Sequence, residues 1–457
     1  MMRKEALKFL LAIKIKELRL SKGLSLKELA KNSQLSVSYL NEIEKAKKYP
    51  KADKLISLAS ALDTSYEKLV SIVVPPKIQP LVDFYQGGMF KKLPMTEFGI
   101  SETDLFDLVS YDPGKFGSLL VTMQEITRTY DIGLPSINKA ALRAYQETNN
   151  NYFQEIEDKV HDFIEQRGWE PSRRIDPAII KTILIEEYNY TIDDEILSKT
   201  VELKNTRSVF KKGNPHKLLI NNRLGEHQKL FVYARELGSC LFGGKRQAIT
   251  GSGVEESNYE DVFHDFKASY FAGALMVQKD FIVEDLKSFF DKTTFDANCL
   301  DEILDKYSAG SEVFFHRLSQ ILPEFFEMNH LFFLRSNHIV KSDEYNISKE
   351  MHLARLHKPH GSRLKEHYCR RWITIYLLEE FLKTQGKERI FSAQISSMMG
   401  SKDEYLCLSV ARSSKLKEST NTCITIGLLV DNNSKEKIKF LSDEGISRKV
   451  VGQTCER

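Results

Sequence analysis

The sequence predicts a mainly α protein. It has a five-helix N-terminal domain, an α+β middle and an α+β C-terminal domain with antiparallel strands. Three observations lead there. Apolar residues recur at helical spacing through most of the first 74 residues. Prolines then break the pattern at Pro75, Pro76 and Pro80. Beyond residue 389, three β-branched and aromatic runs are separated by turn residues. A length of 457 residues agrees with about three domains at roughly 150 residues each. The expected divisions are 1–74, a helical linker and effector region at 75–160, 161–290 and 291–457.

With 42% hydrophobic and 28% charged residues, the chain is neither collagenous nor disordered. No apolar run reaches the roughly 20 residues of a membrane span. Phe9-Leu10-Leu11-Ala12-Ile13 is cut by Lys14 and Lys16, too short for a signal-peptide core. Six cysteines in so long a chain do not form a disulfide framework, which places the protein in a reducing cytoplasm. Those thiols remain candidate metal ligands. Residues 1–74 hold 15 Lys and Arg against 8 Asp and Glu, and the rest 51 against 55. A basic small domain on a mildly acidic body points to a polyanionic partner.

The N-terminal helices can be placed in order. Gly23 ends one helix and Ser25 caps the next. Leu26, Leu29 and Ala30 keep the helical period until Leu35. Ser36 is a good N-cap for the following helix, where Val37, Leu40 and Ile43 resume the period. Pro50 follows, and Leu55, Leu58, Ala59 and Leu62 form another stripe. Five short helices with a tight helix-turn-helix inside make a compact DNA-binding unit.

Over residues 8–72 this pattern resembles the lambda-repressor-like (Xre) helix-turn-helix family. The carrying residues are Arg19, Gly23-Leu24-Ser25, Glu28-Leu29-Ala30, Leu35-Ser36, Ile43-Glu44, Pro50 and Leu58-Ala59. The resemblance implies a structural ion pair between Arg19 and Glu44. It also turns Val37, Ser38 and Glu42 toward base edges, with Tyr39 and Asn41 nearby. Ser36, Lys45, Lys47 and Lys48 are candidates for phosphate contacts, which carry affinity and salt dependence. The family often has glutamine at the start of its second helix; Leu26 stands there instead, so affinity leans on the lysines. A homodimer on double-stranded DNA is the expected assembly.

Downstream, Ser118 to Tyr130 and Ile137 into Val160 are expected as helices. Asn150-Asn151-Tyr152-Phe153 places paired aromatics at a helix start. The run Gln228 to Cys240 has the layout of a zinc-peptidase helix, which needs His-Glu-x-x-His so that two histidines one turn apart share a metal. Arg235 and Ser239 occupy the histidine positions, and only Glu236 survives. In the second helix, Lys267 stands where the third ligand belongs. The middle therefore resembles a degenerate ImmA/IrrE-type peptidase domain that keeps the fold without zinc, and no enzymatic activity is expected. Arg235 and Lys267 are the candidate partners of Glu236.

Toward the C-terminus, a helix is expected near 372–384. Strands are expected at Ile390 to Ser396, Tyr405 to Ala411 and Thr422 to Asp431, after the apolar run Leu331 to Arg335. Cys407 and Cys423 fall in these runs and are expected in the core, with Cys240 and Cys299 also buried.

Taken together, the parts resemble the short-chain fatty acyl-CoA regulator family of RamB and PrpR type. The carrying residues are Asn151-Tyr152-Phe153, the Gln228 to Leu237 helix, Phe271-Ala272, Leu353-Ala354-Arg355, Cys369-Arg370-Arg371-Trp372 and Gly452-x-x-Cys455. The resemblance implies a transcription regulator that senses an acyl-CoA and controls carboxylate or fatty-acid metabolism. It also implies an iron–sulfur cluster, for which Cys369 and Cys455 match as metal ligands. The chain stops two residues past Cys455, so the expected ligand set is incomplete: either this is a truncated form or the cluster is not made. For an acyl-CoA, Tyr152, Phe153, Tyr270 and Phe271 are candidates for the apolar slot, and Lys267, Arg370 and Arg371 for the phosphates. Two other readings compete: a peptidase, which the missing histidines oppose, and an antitoxin-like or stress regulator of the Xre plus ImmA/IrrE type.

Overall fold

In a computed structural model, the described residues are 4–74, 134–243, 249–250, 259–340, 342, 344–353, 368–384, 386–416 and 419–452. The expected helix at 118–130 lies outside them, as do Pro75, Pro76, Pro80, Ala354, Arg355 and Cys455. The chain falls into two compact units, residues 1–141 with 257–259, and residues 142–256 with 260–457.

The first unit contains α1 (Lys4–Ser21), α2 (Leu26–Asn32), α3 (Val37–Glu44), α4 (Ala52–Ala61) and α5 (Tyr66–Val70). Local chemistry sets each boundary. Gly23 takes φ +68°, a left-handed turn that only glycine adopts freely. Ser25 and Glu28 form a reciprocal capping box at α2. Ser36 Oγ accepts from the Tyr39 amide at α3, and Ser65 Oγ from the Lys68 amide at α5. The apolar stripes meet in one core of Leu11, Ile15, Leu29, Leu40, Ile43, Leu55, Leu58, Leu62 and Leu69.

Helix α6 (Leu134–Thr148) leads into the second unit with α7 (Gln154–Gln166) and α8 (Pro177–Glu186). A single helix across 137–160 was expected; it breaks between Thr148 and Gln154. Asn150 and Asn151 adopt φ +51° and +54°, the left-handed region that asparagine tolerates better than most residues. A small sheet follows, β1 (Tyr190–Asp193), β2 (Ser208–Lys211), β3 (His216–Ile220) and β4 (Ile249–Thr250), with the short helix α9 (Ile196–Lys199) between β1 and β2. Its order is β1-β3-β2-β4, parallel only between β1 and β3.

The remaining helices are α10 (Glu226–Phe242), α11 (Tyr259–Met276), α12 (Lys279–Phe290), α13 (Ala297–Asp305), α14 (Ser311–Phe326), α15 (Ile373–Lys383) and α16 (Asn432–Lys437). The large sheet holds β5 (Leu331–Ile339), β6 (Tyr345–His352), β7 (Arg389–Met398), β8 (Glu404–Ser413), β9 (Thr420–Leu429) and β10 (Ser447–Val451), in the order β10-β7-β8-β9-β5-β6. The expected strands pair antiparallel, but the sheet is mixed, because β10 joins the edge parallel to β7.

Alternation along β8 and β9 sorts the core into two faces. Leu406, Leu408, Val410, Ile424, Ile426 and Leu428 enter the main core with α14. Tyr405, Cys407, Ala411 and Cys423 face α15. Period-2 geometry requires this split. Cys407 and Cys423 are fully buried as expected, whereas Cys240 and Cys299 are only partly so. Gly427 is forced by packing: a Cβ there would lie 2.2–2.8 Å from the Phe332 ring, its partner across β5 and β9. The main core draws together residues from Phe153 to Ile446.

Candidate nucleic-acid interface and effector region

The recognition helix α3 is anchored from below. Leu40, Ile43 and Glu44 are its buried residues. The Arg19 guanidinium donates through Nε and Nη2 to the two Glu44 carboxylate oxygens at 2.7 and 2.9 Å, and through Nη1 to the Leu24 carbonyl at 2.8 Å. This satisfied fork ties α1 to the end of α3 and to the turn before α2. The pair implied by the family resemblance is therefore present.

What α3 leaves outward is its polar N-terminal side. Ser36, Val37, Ser38 and Asn41 are exposed. Tyr39 is half-buried and packs on the domain core. Beyond α3, Ala46 at φ +55° reverses the chain, and the Lys47 and Lys48 amides both donate to the Glu42 carbonyl. Lys48 then folds back, its ammonium 2.7 Å from Glu42 and 5.7 Å from the Tyr39 ring centroid. The Glu42 carboxylate raises the pKa of Lys48 through their hydrogen bond. Lys47 stays exposed, and Lys45 is half-buried. Of the nine candidate DNA contacts, Glu42 and Lys48 thus hold each other, a pairing the sequence did not reveal.

The degenerate peptidase pattern takes a defined form. Arg235, at the first histidine position, pairs with Asp265 on α11 at 2.7 Å. Ser239, at the second, shares a 2.7 Å hydrogen bond with His264 Nε2, also on α11. Gly238 sits between them, and a Cβ there would lie 3.0–3.1 Å from Phe271 and the Ala268 carbonyl. Both positions therefore stitch α10 to α11. Glu236 is buried and accepts from the Tyr190 hydroxyl at 3.1 Å. The expected partners lie elsewhere: Arg235 is on Asp265, and the Lys267 ammonium is 4.6 Å from the Phe263 ring centroid. Burial, with Arg235 opposing and Asp265 adding, pushes Glu236 up to about 7. Among the described residues, no group of three His, Cys, Asp or Glu side chains is placed to hold a metal ion.

The seven candidate effector residues do not form one group. Phe153 stacks on Tyr145 at 5.2 Å and meets Phe266 and Tyr270 edge-on. Tyr270 donates to Glu157 at 2.8 Å and accepts from the Phe153 amide. Glu157 is held by both Nη atoms of Arg317, at 2.6 and 2.9 Å, inside the core. Tyr152 packs edge-on against Phe325, and Phe271 against Phe163 and Phe242. Arg370 and Arg371 are exposed beside a separate apolar cluster of Cys369, Trp372, Ile375 and Val451. Trp372 Nε1 donates to the Gly452 carbonyl at 2.7 Å, which ties the start of α15 to the end of β10. Cys369 is buried, and Cys455, the other thiol matched to the iron–sulfur cluster, lies outside the described residues.

Residues 15–69 match the helix-turn-helix family HTH_3. The chain carries an N-terminal helix-turn-helix domain of Xre type. No curated protein matches the sequence. A solved structure described as a Mycobacterium tuberculosis transcriptional regulator is similar at 14% identity and TM-score 0.48, covering 69% of this chain and 90% of that one. Among the described residues, no helix is long and apolar enough to cross a membrane.

Proposed function

We propose that the chain is a sequence-specific DNA-binding transcriptional regulator. In this reading the second unit senses a small effector, a short-chain acyl-CoA, and controls carboxylate or fatty-acid metabolism genes without catalysis. The observation that carries the DNA-binding part is α3 itself: a helix locked by the Arg19–Glu44 fork, presenting Ser36, Val37, Ser38 and Asn41 outward, inside a domain that matches the helix-turn-helix family. The N-terminal residues of such a helix read base edges in the major groove. A homodimer would set two such helices about 34 Å apart on a near-palindromic site. The acyl-CoA part rests on the family resemblance alone. Effector binding would bias the balance between DNA-competent and incompetent arrangements.

The test is fluorescence anisotropy on duplexes from the protein's own promoter region across a salt series. Lys47→Ala should weaken binding on every sequence and lower the salt slope by about 1. Glu42→Ala should cost about 1–3 kcal/mol only at particular base pairs. No binding at low salt refutes the DNA-binding reading. For the effector, a thermal-shift panel of acetyl-, propionyl- and longer acyl-CoA thioesters should show stabilisation by mass action. A flat panel removes the thioester from the reading.

A further inference from the structure

Glu312, in the first turn of α14, carries more positive charge than it can balance. Its carboxylate accepts from Lys349 on β6 and lies 3.4 Å from Arg335 on β5 and 3.7 Å from Arg207, one residue before β2. Arg412 on β8 lies within electrostatic reach of Glu312. Its Nε is buried without a hydrogen-bond partner among the described residues, and its Nη1 reaches only the Ser413 carbonyl at 3.3 Å. Arg335 Nε is likewise buried with no hydrogen bond of good geometry. Four cations thus share one carboxylate.

Two other arginines in this unit have carboxylate partners of their own. Arg317 has Glu157, and Arg389 has both Asp301 and Asp305. Here the backbone adds to the surplus. The N-termini of two long helices abut, since a Cβ on Gly310, the N-cap of α14, would lie 2.7 Å from the ring of His227 in the first turn of α10. Both helices therefore turn their positive dipole ends to this region. Two buried imidazoles lie beside these cations. His316, stacked on Phe333 at 4.1 Å, is pushed down to about 4 by burial and then by Lys349. His227 is pushed down to about 4 by burial and then by Arg412 and Lys415.

Access is graded. The Lys349 and Arg207 side chains are 48% and 37% exposed, while Arg335 is 16% exposed. The arrangement is a cationic floor with a solvated rim. An anion arriving from solvent would meet Lys349 and Arg207 first. Arginine forks suit phosphate oxygens, with lysine as a point charge.

We propose that Arg207, Arg335, Lys349 and Arg412 form a binding site for a small phosphate-bearing molecule, whose anionic oxygens take the guanidinium protons that Glu312 leaves unfilled. The site is built from the second unit alone and stands or falls independently of DNA binding.

Inorganic pyrophosphate is the probe, titrated into the full chain by calorimetry and thermal shift, against sodium chloride at equal ionic strength. Pyrophosphate should bind and raise the melting temperature beyond the chloride control. Arg412→Gln should weaken it at least tenfold, while Lys47→Ala leaves it unchanged. Lys349→Gln, at a more exposed position, should weaken it severalfold and decides the matter if Arg412→Gln does not give a native far-UV spectrum. Equal shifts with chloride, or full affinity in the folded variants, overturn the proposal. So does loss in Lys47→Ala alone, which would assign the anion to the DNA-reading lysines. Arg412-dependent binding of duplex without binding of pyrophosphate also overturns it, in favour of a nucleic-acid contact.

Discussion

Replacing Glu44 by leucine tests whether the Arg19–Glu44 fork holds the recognition helix in place. The side chains are 10% and 6% exposed, so leucine leaves a guanidinium with little water to replace two charge-assisted hydrogen bonds. Breaking a buried pair from one side costs about 3–5 kcal/mol. A domain of this size, at roughly 0.05–0.15 kcal/mol per residue, holds only about 3–10 kcal/mol in total. The loss is therefore comparable to its whole stability. At about 4–8 °C per kcal/mol, its melting transition should fall by at least about 12 °C. Differential scanning calorimetry of the full chain should show that transition move while the second unit's stays. DNA affinity should fall on every sequence alike, because the whole helix is lost rather than one contact. The charge-free double variant Arg19→Met with Glu44→Leu should recover to within about 1 kcal/mol of the parent. A cost under about 1 kcal/mol for Glu44→Leu, or a double variant as unstable as the single, refutes the reasoning.

Two further predictions concern the second unit. Glu236 titrates near 4.5 when unfolded and near 7 when folded, so between those values the native state holds the extra proton. Stability should fall by about 3 kcal/mol as pH rises through that window and level off above it. Glu236→Gln should flatten this part of the profile and be the more stable form at pH 8, as read by denaturant midpoints from pH 4 to 8. A profile unchanged by the substitution refutes the assignment. Gly427→Ala should cost about 1–3 kcal/mol by overpacking against Phe332. Adding Phe332→Leu should restore part of the loss; an unshifted melting curve for Gly427→Ala would show that the ring moves freely.

How much was legible in advance followed the range of the interactions. The helix-turn-helix could be read because its signals are local: Ser25 and Ser36 sit beside the amides they cap, and Leu40 and Ile43 lie one turn apart. The fates of Cys407 and Cys423 followed from alternation within single strands. The break after Thr148 was missed although Asn150 and Asn151 stood in view, because apolar residues on both sides keep a helical period. Strand β10 has Val451 as its one fully buried residue, so no alternation announces it. The partner of Glu236 was hidden for a different reason. Tyr190 lies 46 residues upstream on another element, and nothing near Glu236 points to it. The cations around Glu312 come from β2's approach, β5, β6 and β8, and only the folded chain brings them together.

The shared core that draws on residues from Phe153 to Ile446 bears on how the larger unit can respond to anything it binds. Side chains drawn from both sides of residue 290 share one close-packed filling, so strain introduced on either side has no seam at which to stop. A perturbation at either end of this shared filling would accordingly reach the other through packing alone, while the smaller clusters around α15 stand outside it.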